Sequence, residues 1–205
     1  MRNINRLNEE LARWAFEIIF KTNTSWNIAF TNPTAGPWKT IKTVSKETGE
    51  EGEVYRFILE EDRPDIIMYN DALEDVIIIE AKDSLDKLQV RDQAKKSAAV
   101  VVKLANLLAE KGSNEFWKGR EGYKIILGLL WGSTDNAESA YNRERLFDYY
   151  HELIAGEESV YKDLIIGIET LYRQGSLQCK PFYKSYDARC EQEGAEICQS
   201  LIPED

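Results

Sequence analysis

Two apolar runs separated by a short polar segment are the feature that most constrains the fold of this chain. The runs read IIMY at residues 66–69 and VIII at residues 76–79, and the polar segment between them, residues 70–75, reads NDALED. Apolar runs of strand length joined by so short a connection are typical of an antiparallel β-hairpin. Because neither run alternates with polar residues, we predict that the hairpin is buried on both faces.

Charged residues stand together at one end of this predicted hairpin. Asp65 precedes the first run, and Glu80 and Lys82 follow the second. If Asn70 pairs with Asp75, then Asp65 falls opposite Glu80 with Cβ atoms about 5 Å apart, and Lys82 shares their face. We therefore predict two carboxylates and one ammonium group at the edge of a buried sheet, provided that neither strand contains a bulge.

Two converging carboxylates repel each other unless a divalent cation lies between them. Mg²⁺ prefers oxygen ligands and keeps several waters, so Asp65, Glu80 and the backbone carbonyl of Ala81 form a candidate ligand set for it. Lys82 stands within reach of a metal-bound water or a phosphate oxygen. Such a site lowers the pKa of the bound water and stabilises charge developing on phosphorus, so we predict phosphodiester hydrolysis.

The sequence contains few of the residues that other classes of hydrolytic or phosphate-binding site require. His151 is the single histidine, and one histidine is too few for a His-metal cluster or for a site with paired histidines. We interpret His151 as an ordinary helix residue. The three cysteines show no metal-ligand spacing, and no GxxxxGK[ST] phosphate loop is present. A net charge of −10 argues against a broad, non-specific affinity for nucleic acid.

The order of predicted elements indicates an α/β protein with a mixed central β-sheet flanked by helices. At 205 residues the chain fits one domain, residues 1–205, with a core at about 4–170 and a polar acidic segment at 173–205, for which we expect partial disorder. Residues 22–53 lack helical periodicity, and residues 38–46 within them suit either contact with a phosphate backbone or a solvated connection or hairpin arm. The periodic segments predict helices at 4–20, 87–111 and 136–155 and further strands at 54–59, 123–131 and 164–168.

No apolar run approaches the roughly 20 residues of a membrane span. The first residues lead into an amphipathic helix and lack the apolar core of a signal peptide. We therefore expect a cytoplasmic protein that does not bind membranes.

Pro64-Asp65, fourteen residues and then Glu80-Ala81-Lys82 resemble the PD-(D/E)xK motif of a nuclease superfamily. The resemblance implies an αβββαβ core like that of restriction endonucleases, with Asp65 and Glu80 as Mg²⁺ ligands and Lys82 acting on the attacking water. It further implies that Glu17, or alternatively Glu10, is the carboxylate of the preceding helix. Gln93 matches a glutamine that several members carry near the site.

Among the branches of that superfamily, the chain most resembles a type II restriction endonuclease or its cleavage subunit. This implies an Mg²⁺-dependent endonuclease of a restriction-modification system that acts on double-stranded DNA. Because cutting both strands calls for two sites, we expect a homodimer or a partner recognition subunit. Two alternatives stay open: a DNA repair or recombination nuclease of the same superfamily, and a non-catalytic binding module in which the three charges form a structural ion-pair cluster.

Overall fold

In the part of the chain that the structure describes, six strands form one mixed sheet, and their order across the sheet follows their order in the chain. The computed structural model describes residues 25–31, 64–82, 94–95, 98–99, 101–103, 105–106, 119–132, 137–173 and 176–202. The strands are β1 (Asn27–Thr31), β2 (Ile66–Asn70), β3 (Asp75–Lys82), β4 (Lys124–Gly132), β5 (Leu164–Arg173) and β6 (Ser176–Ser185).

The strands pair in both directions, which confirms the predicted α/β class with a mixed sheet. β1, β2 and β3 are successively antiparallel, β3, β4 and β5 are successively parallel, and β6 is antiparallel to β5. The parallel pairing of β3 with β4 fits the helical residues between them, because a parallel connection needs a crossover.

The hairpin of β2 and β3 has the predicted register. Asn70 pairs with Asp75, and the ladder continues without a shift to Ile66 opposite Ile79. In the turn, the Oδ1 atom of Asn70 accepts hydrogen bonds from the backbone N–H groups of Ala72 (2.9 Å) and Leu73 (3.2 Å). Such local acceptance by an asparagine side chain stabilises a tight turn and thereby fixes the pairing of the strands that follow.

Both faces of the hairpin are buried, as predicted. One face contributes Ile67, Val76 and Ile78 to a core that also contains Phe147 and Tyr150. The opposite face contributes, together with residues of β4 and β5, to a second core made of Trp26, Ile66, Met68, Ile77, Ile79, Ala81, Ile126, Leu130, Leu164, Ile166, Ile168, Ile197 and Leu201.

Helices cover each of these faces. Helix α1 (Ala137–Ile154) packs on the first core, and the described residues between 94 and 106 are helical and place Ala94, Ala98, Val101 and Ala105 on the same side. The predicted helix at 136–155 is therefore confirmed, and the one at 87–111 is confirmed for its described residues. Helix α2 (Glu191–Ser200) lies on the second face, preceded by a short 3₁₀ helix, Ala188–Cys190.

The C-terminal segment differs from the prediction. Partial disorder was expected from 173 onward, but its described residues form strand β6 and helix α2. Ile197 and Leu201 are buried at 1% and 0% exposure, and Trp26 donates a 2.9 Å hydrogen bond from Nε1 to the Oγ atom of Ser200. A few apolar side chains at helical spacing are thus enough to fix this acidic segment against the sheet.

Strand β6 is an edge of the described sheet. It carries Pro181 opposite Ile168 of β5. Proline lacks a backbone N–H and is tolerated in sheets chiefly on edge strands, so its place here fits the geometry.

Strand β1 also lies where no strand was predicted, inside the segment 22–53. The predicted helix at 4–20 and strand at 54–59 lie outside the described residues. Within the described part of the chain, no helix combines the length and apolar character that crossing a membrane requires.

Candidate active site

Asp65 is held at the point where β2 begins. Its backbone N–H donates to the carbonyl of Ile79 (3.1 Å), and its Oδ2 atom accepts a hydrogen bond from the backbone N–H of Ala81 (2.8 Å). The residue is 8% exposed. Two contacts on either side of Glu80 therefore clamp Asp65 to β3.

This arrangement differs in detail from the predicted one. The regular ladder ends at Ile66 and Ile79, so Asp65 does not form the next strand pair with Glu80. Instead, the carboxylate of Asp65 accepts a hydrogen bond from the backbone N–H of Ala81 in β3. Its Oδ2 atom lies 2.8 Å from this nitrogen, which belongs to the peptide that joins Glu80 to Ala81. The side chain of Asp65 is thus brought to the Glu80–Ala81 peptide by a side-chain hydrogen bond.

Glu80 and Lys82 occupy the end of β3. Glu80 alternates with Ala81, which belongs to the second core, and so it stands on the face of Val76 and Ile78. Glu80 is partly exposed, unlike the four residues before it. The buried row of this face therefore opens toward solvent at Glu80.

Other predicted site residues fall outside the described part of the structure. Glu10, Glu17 and Gln93 are not described, and of Lys82 only the backbone is described, paired with Trp131 of β4. The structure therefore brings together Asp65, Glu80 and Ala81 from the predicted set.

The donor atoms of Asp65, Glu80 and Ala81 determine which divalent cation fits them. Asp65, Glu80 and the carbonyl of Ala81 supply oxygen only, which suits Mg²⁺ better than zinc or copper. Among the residues that the structure describes, no group of three or more His, Cys, Asp or Glu side chains is arranged to hold a metal. Asp65 and Glu80 could therefore hold Mg²⁺ only together with further oxygens from the Ala81 carbonyl, water or substrate.

A second charged group, which the sequence analysis missed, lies at the opposite end of β3. This amino-end cluster consists of Asp75, Lys124, Tyr161 and Glu193. The Nζ atom of Lys124 lies 3.4 Å from Oδ1 of Asp75 and forms an ion pair with Glu193, and the hydroxyl of Tyr161 donates to Oε2 of Glu193 (2.6 Å). Lysine therefore stands between two carboxylates.

Burial dominates the electrostatics of this cluster. Asp75 is 1% exposed, and burial raises its pKa from 3.8 to about 6 although the nearby Lys124 charge acts to lower it. Burial, and then the hydrogen bond with Cys190, raise the pKa of Tyr161 to about 12. Asp75 and Lys124 are neighbours because each begins one of two parallel strands, which a sequence can indicate. Glu193 arrives from α2, which no local pattern predicted.

Comparisons with protein-family models, with curated proteins and with solved structures found no match to this chain.

Proposed function

We propose that the protein is an Mg²⁺-dependent endodeoxyribonuclease of the PD-(D/E)xK type, with its site at the carboxyl end of β3. The observation that carries the proposal is the hydrogen bond from the Ala81 N–H to Asp65. It fixes a carboxylate beside the Glu80–Ala81 peptide, where the motif requires its two acids to meet. The described mixed sheet, with β1 to β3 antiparallel and β4 parallel to β3, is compatible with the β-strand part of an αβββαβ core.

In this proposal each residue has a separate task. Asp65 and Glu80 would hold Mg²⁺ together with the carbonyl of Ala81, and the cation would supply an acidified water and neutralise charge on the phosphate. The hydrogen bond to Ala81 orients the Asp65 carboxylate before substrate arrives, which reduces the reorganisation that catalysis would otherwise require. Lys82, two residues beyond Glu80, would orient the attacking water or contact a phosphate oxygen. Glu17 and Gln93 remain proposed members of the site.

The finer assignment is a type II restriction endonuclease or its cleavage subunit. It rests on the motif and on the expectation that two sites act on the two strands of a duplex. A homodimer, or a complex with a recognition subunit, would supply the second site.

The test is incubation of the purified protein with plasmid DNA in Mg²⁺ and in EDTA, followed by sequencing of the fragment ends. We expect Mg²⁺-dependent cleavage at discrete positions. Scattered ends, or cleavage confined to flaps and junctions, would replace the restriction assignment by a repair or recombination nuclease. Intact plasmid over a range of divalent cations, with no Mg²⁺ binding by calorimetry, would contradict the proposal and favour a non-catalytic module.

A further inference from the structure

Two cations converge on one aromatic ring on the face that carries Glu80. The guanidinium carbon of Arg143, on α1, lies 4.3 Å from the centroid of the Phe182 ring, and the Nζ atom of Lys180 lies 5.0 Å from it. We name Arg143, Lys180 and Phe182 the basic–aromatic site. Like charges repel, so their convergence on one ring favours the approach of an anion.

The ring between these cations is held by the sheet. Trp131 of β4 stacks on Phe182 with centroids 6.2 Å apart and planes 12° from parallel. Gly167 lies under Trp131, and a Cβ atom there would come within 2.8 Å of the Trp131 ring, so only glycine lets the indole lie in this place. The position of Phe182 is therefore fixed by packing, and the cations that contact it are oriented by a rigid platform.

Among the described residues, no neighbouring carboxylate forms a close ion pair with Arg143 or Lys180. Lys184, four residues after Lys180 on the same face of β6, forms ion pairs with Glu144 (2.9 Å) and Asp148 (2.7 Å). Arg143, by contrast, has its recorded ion pair with Glu144 at 3.9 Å, the long limit of such a contact. For Lys180, which is exposed, no ion pair within 4.0 Å is found among the described residues, although Glu169 stands opposite it in the register.

The basic–aromatic site is in line with the candidate active site. Reading across the sheet, Lys82 pairs with Trp131, Trp131 with Glu169, and Glu169 with Lys180. These are three strand spacings, or about 14 Å between the backbones of Lys82 and Lys180. That span is comparable to the roughly 12 Å width of the major groove, so one duplex can contact both ends of the row.

We propose that Arg143 and Lys180 bind the phosphate backbone of the DNA duplex whose cleavage is proposed above, on the side of the scissile phosphate toward β6. This inference rests on the proposed function for its substrate. Arginine offers a planar fork to phosphate oxygens and stacks on Phe182, whereas lysine acts as a point charge beside it. The contact positions the duplex and carries no sequence information.

The experiment compares DNA binding by the wild-type chain and by the double variant Arg143→Gln/Lys180→Gln. A short fluorescent duplex is titrated in EDTA, which prevents cleavage, over roughly 50–200 mM salt. We expect the double variant to bind about tenfold more weakly at the low-salt end, and the slope of log K against log salt to fall by about 1 to 2, since each lost phosphate contact removes about 0.9.

Two further variants make the comparison specific. Arg145→Gln/Lys162→Gln removes the same charge from elsewhere, because Arg145 lies roughly 200° around α1 from Arg143 and the Nζ atom of Lys162 contacts the carbonyl of Ala155. The swap Arg143→Lys/Lys180→Arg keeps both charges. We expect both to retain the wild-type slope, and circular dichroism checks that all variants fold.

Equal slopes for the wild type and Arg143→Gln/Lys180→Gln would overturn the inference, as would a wild-type chain that binds no duplex. If the slope falls as expected but the wild type cleaves nothing in Mg²⁺, the proposed nuclease function fails while the phosphate-binding surface stands. If the control Arg145→Gln/Lys162→Gln loses as much slope as the test variant, the effect is one of net charge and the inference is wrong.

Discussion

The two ends of β3 use carboxylates in opposite ways. At the amino end, buried Asp75 faces Lys124, which also pairs with Glu193, so the protein supplies the cation itself. At the carboxyl end, the carboxylate of Asp65 accepts an uncharged backbone N–H next to Glu80, where the strand becomes partly exposed. Similar acidic residues thus form a completed ion-pair contact at one end of β3 and, in the proposed function, an oriented set of Mg²⁺ ligands at the other.

The largest expected effect separates the two ends by activity. Asp65→Asn should lower Mg²⁺-dependent plasmid cleavage by at least about 100-fold, because the amide keeps an acceptor for the Ala81 N–H but loses the charge proposed to bind the cation. Asp75→Asn should leave cleavage within about twofold, since the amino-end cluster lies at the other end of the strand. Cleavage rates of both variants test this expectation. Equal losses of activity would show that the two ends of β3 do not differ in this way.

The next effect concerns stability and pH. The folded pKa of Asp75, about 6, lies above its ordinary value of 3.8, so the folded state binds a proton more tightly than the unfolded state. Ionisation of Asp75 therefore costs stability as the pH rises from about 4 to 6, by at most about 3 kcal/mol. Asp75→Asn should remove this cost, raising the free energy of unfolding at pH 7 to 8 and changing it little at pH 4. Urea denaturation across this range measures it.

Asp71 offers a matched control with the opposite sign. Its hydrogen bond with Arg120 holds the pKa of Asp71 below 3.8, so it contributes stability that is complete at neutral pH and is lost only as the pH falls below 3.8, through this lowered pKa. The pair is exposed, and Asp71→Asn should cost no more than about 0.5 kcal/mol. If Asp75→Asn and Asp71→Asn shift stability in the same direction at pH 7, burial is not the cause of the Asp75 shift.

A further effect, on stability alone, isolates the hydrogen bond at the carboxyl end. Asp65→Ala should be less stable than Asp65→Asn by about 1–2 kcal/mol, because alanine leaves the N–H of Ala81 without its acceptor in a buried place. Thermal unfolding of the two variants in EDTA tests this without any contribution from metal. Equal melting temperatures would mean that the peptide finds another acceptor and that Asp65 is not fixed by this contact.

Much of the fold could be predicted because it depends on long apolar segments. The register of β2 and β3 was predicted by counting residues outward from the Asn70–Asp75 pair. β4 and α1 were predicted from the pattern of their apolar residues. β6 could not be predicted in the same way, since an edge strand with Lys180, Pro181 and Lys184 presents the composition of a loop. α2 was missed because its segment offers few large apolar residues, chiefly Ile197 and Leu201, among acidic ones, and their partners on the sheet are distant in sequence.

The candidate site was predicted in outline and not in geometry. Counting paired positions from Asn70 and Asp75 located Asp65 and Glu80 at one end of the hairpin, but this counting assumed that the ladder continues through both residues. The ladder instead ends at Ile66, and a side-chain oxygen accepts the N–H of Ala81. The path of the chain before the strand decides whether a backbone or a side-chain oxygen accepts the terminal N–H. Hydrophobic periodicity contains no information on this path.

Because the described strands are added across the sheet in the order of the chain, the sheet can grow from one side as synthesis proceeds. Each new strand finds its partner already made, and none has to be inserted between two that have paired. At about 5–20 residues per second, a ribosome would leave the apolar β5 edge uncovered for only seconds before β6 emerges. Pro181, with no N–H to offer, then makes β6 a poor template for a further strand, which protects nascent chains from joining edge to edge.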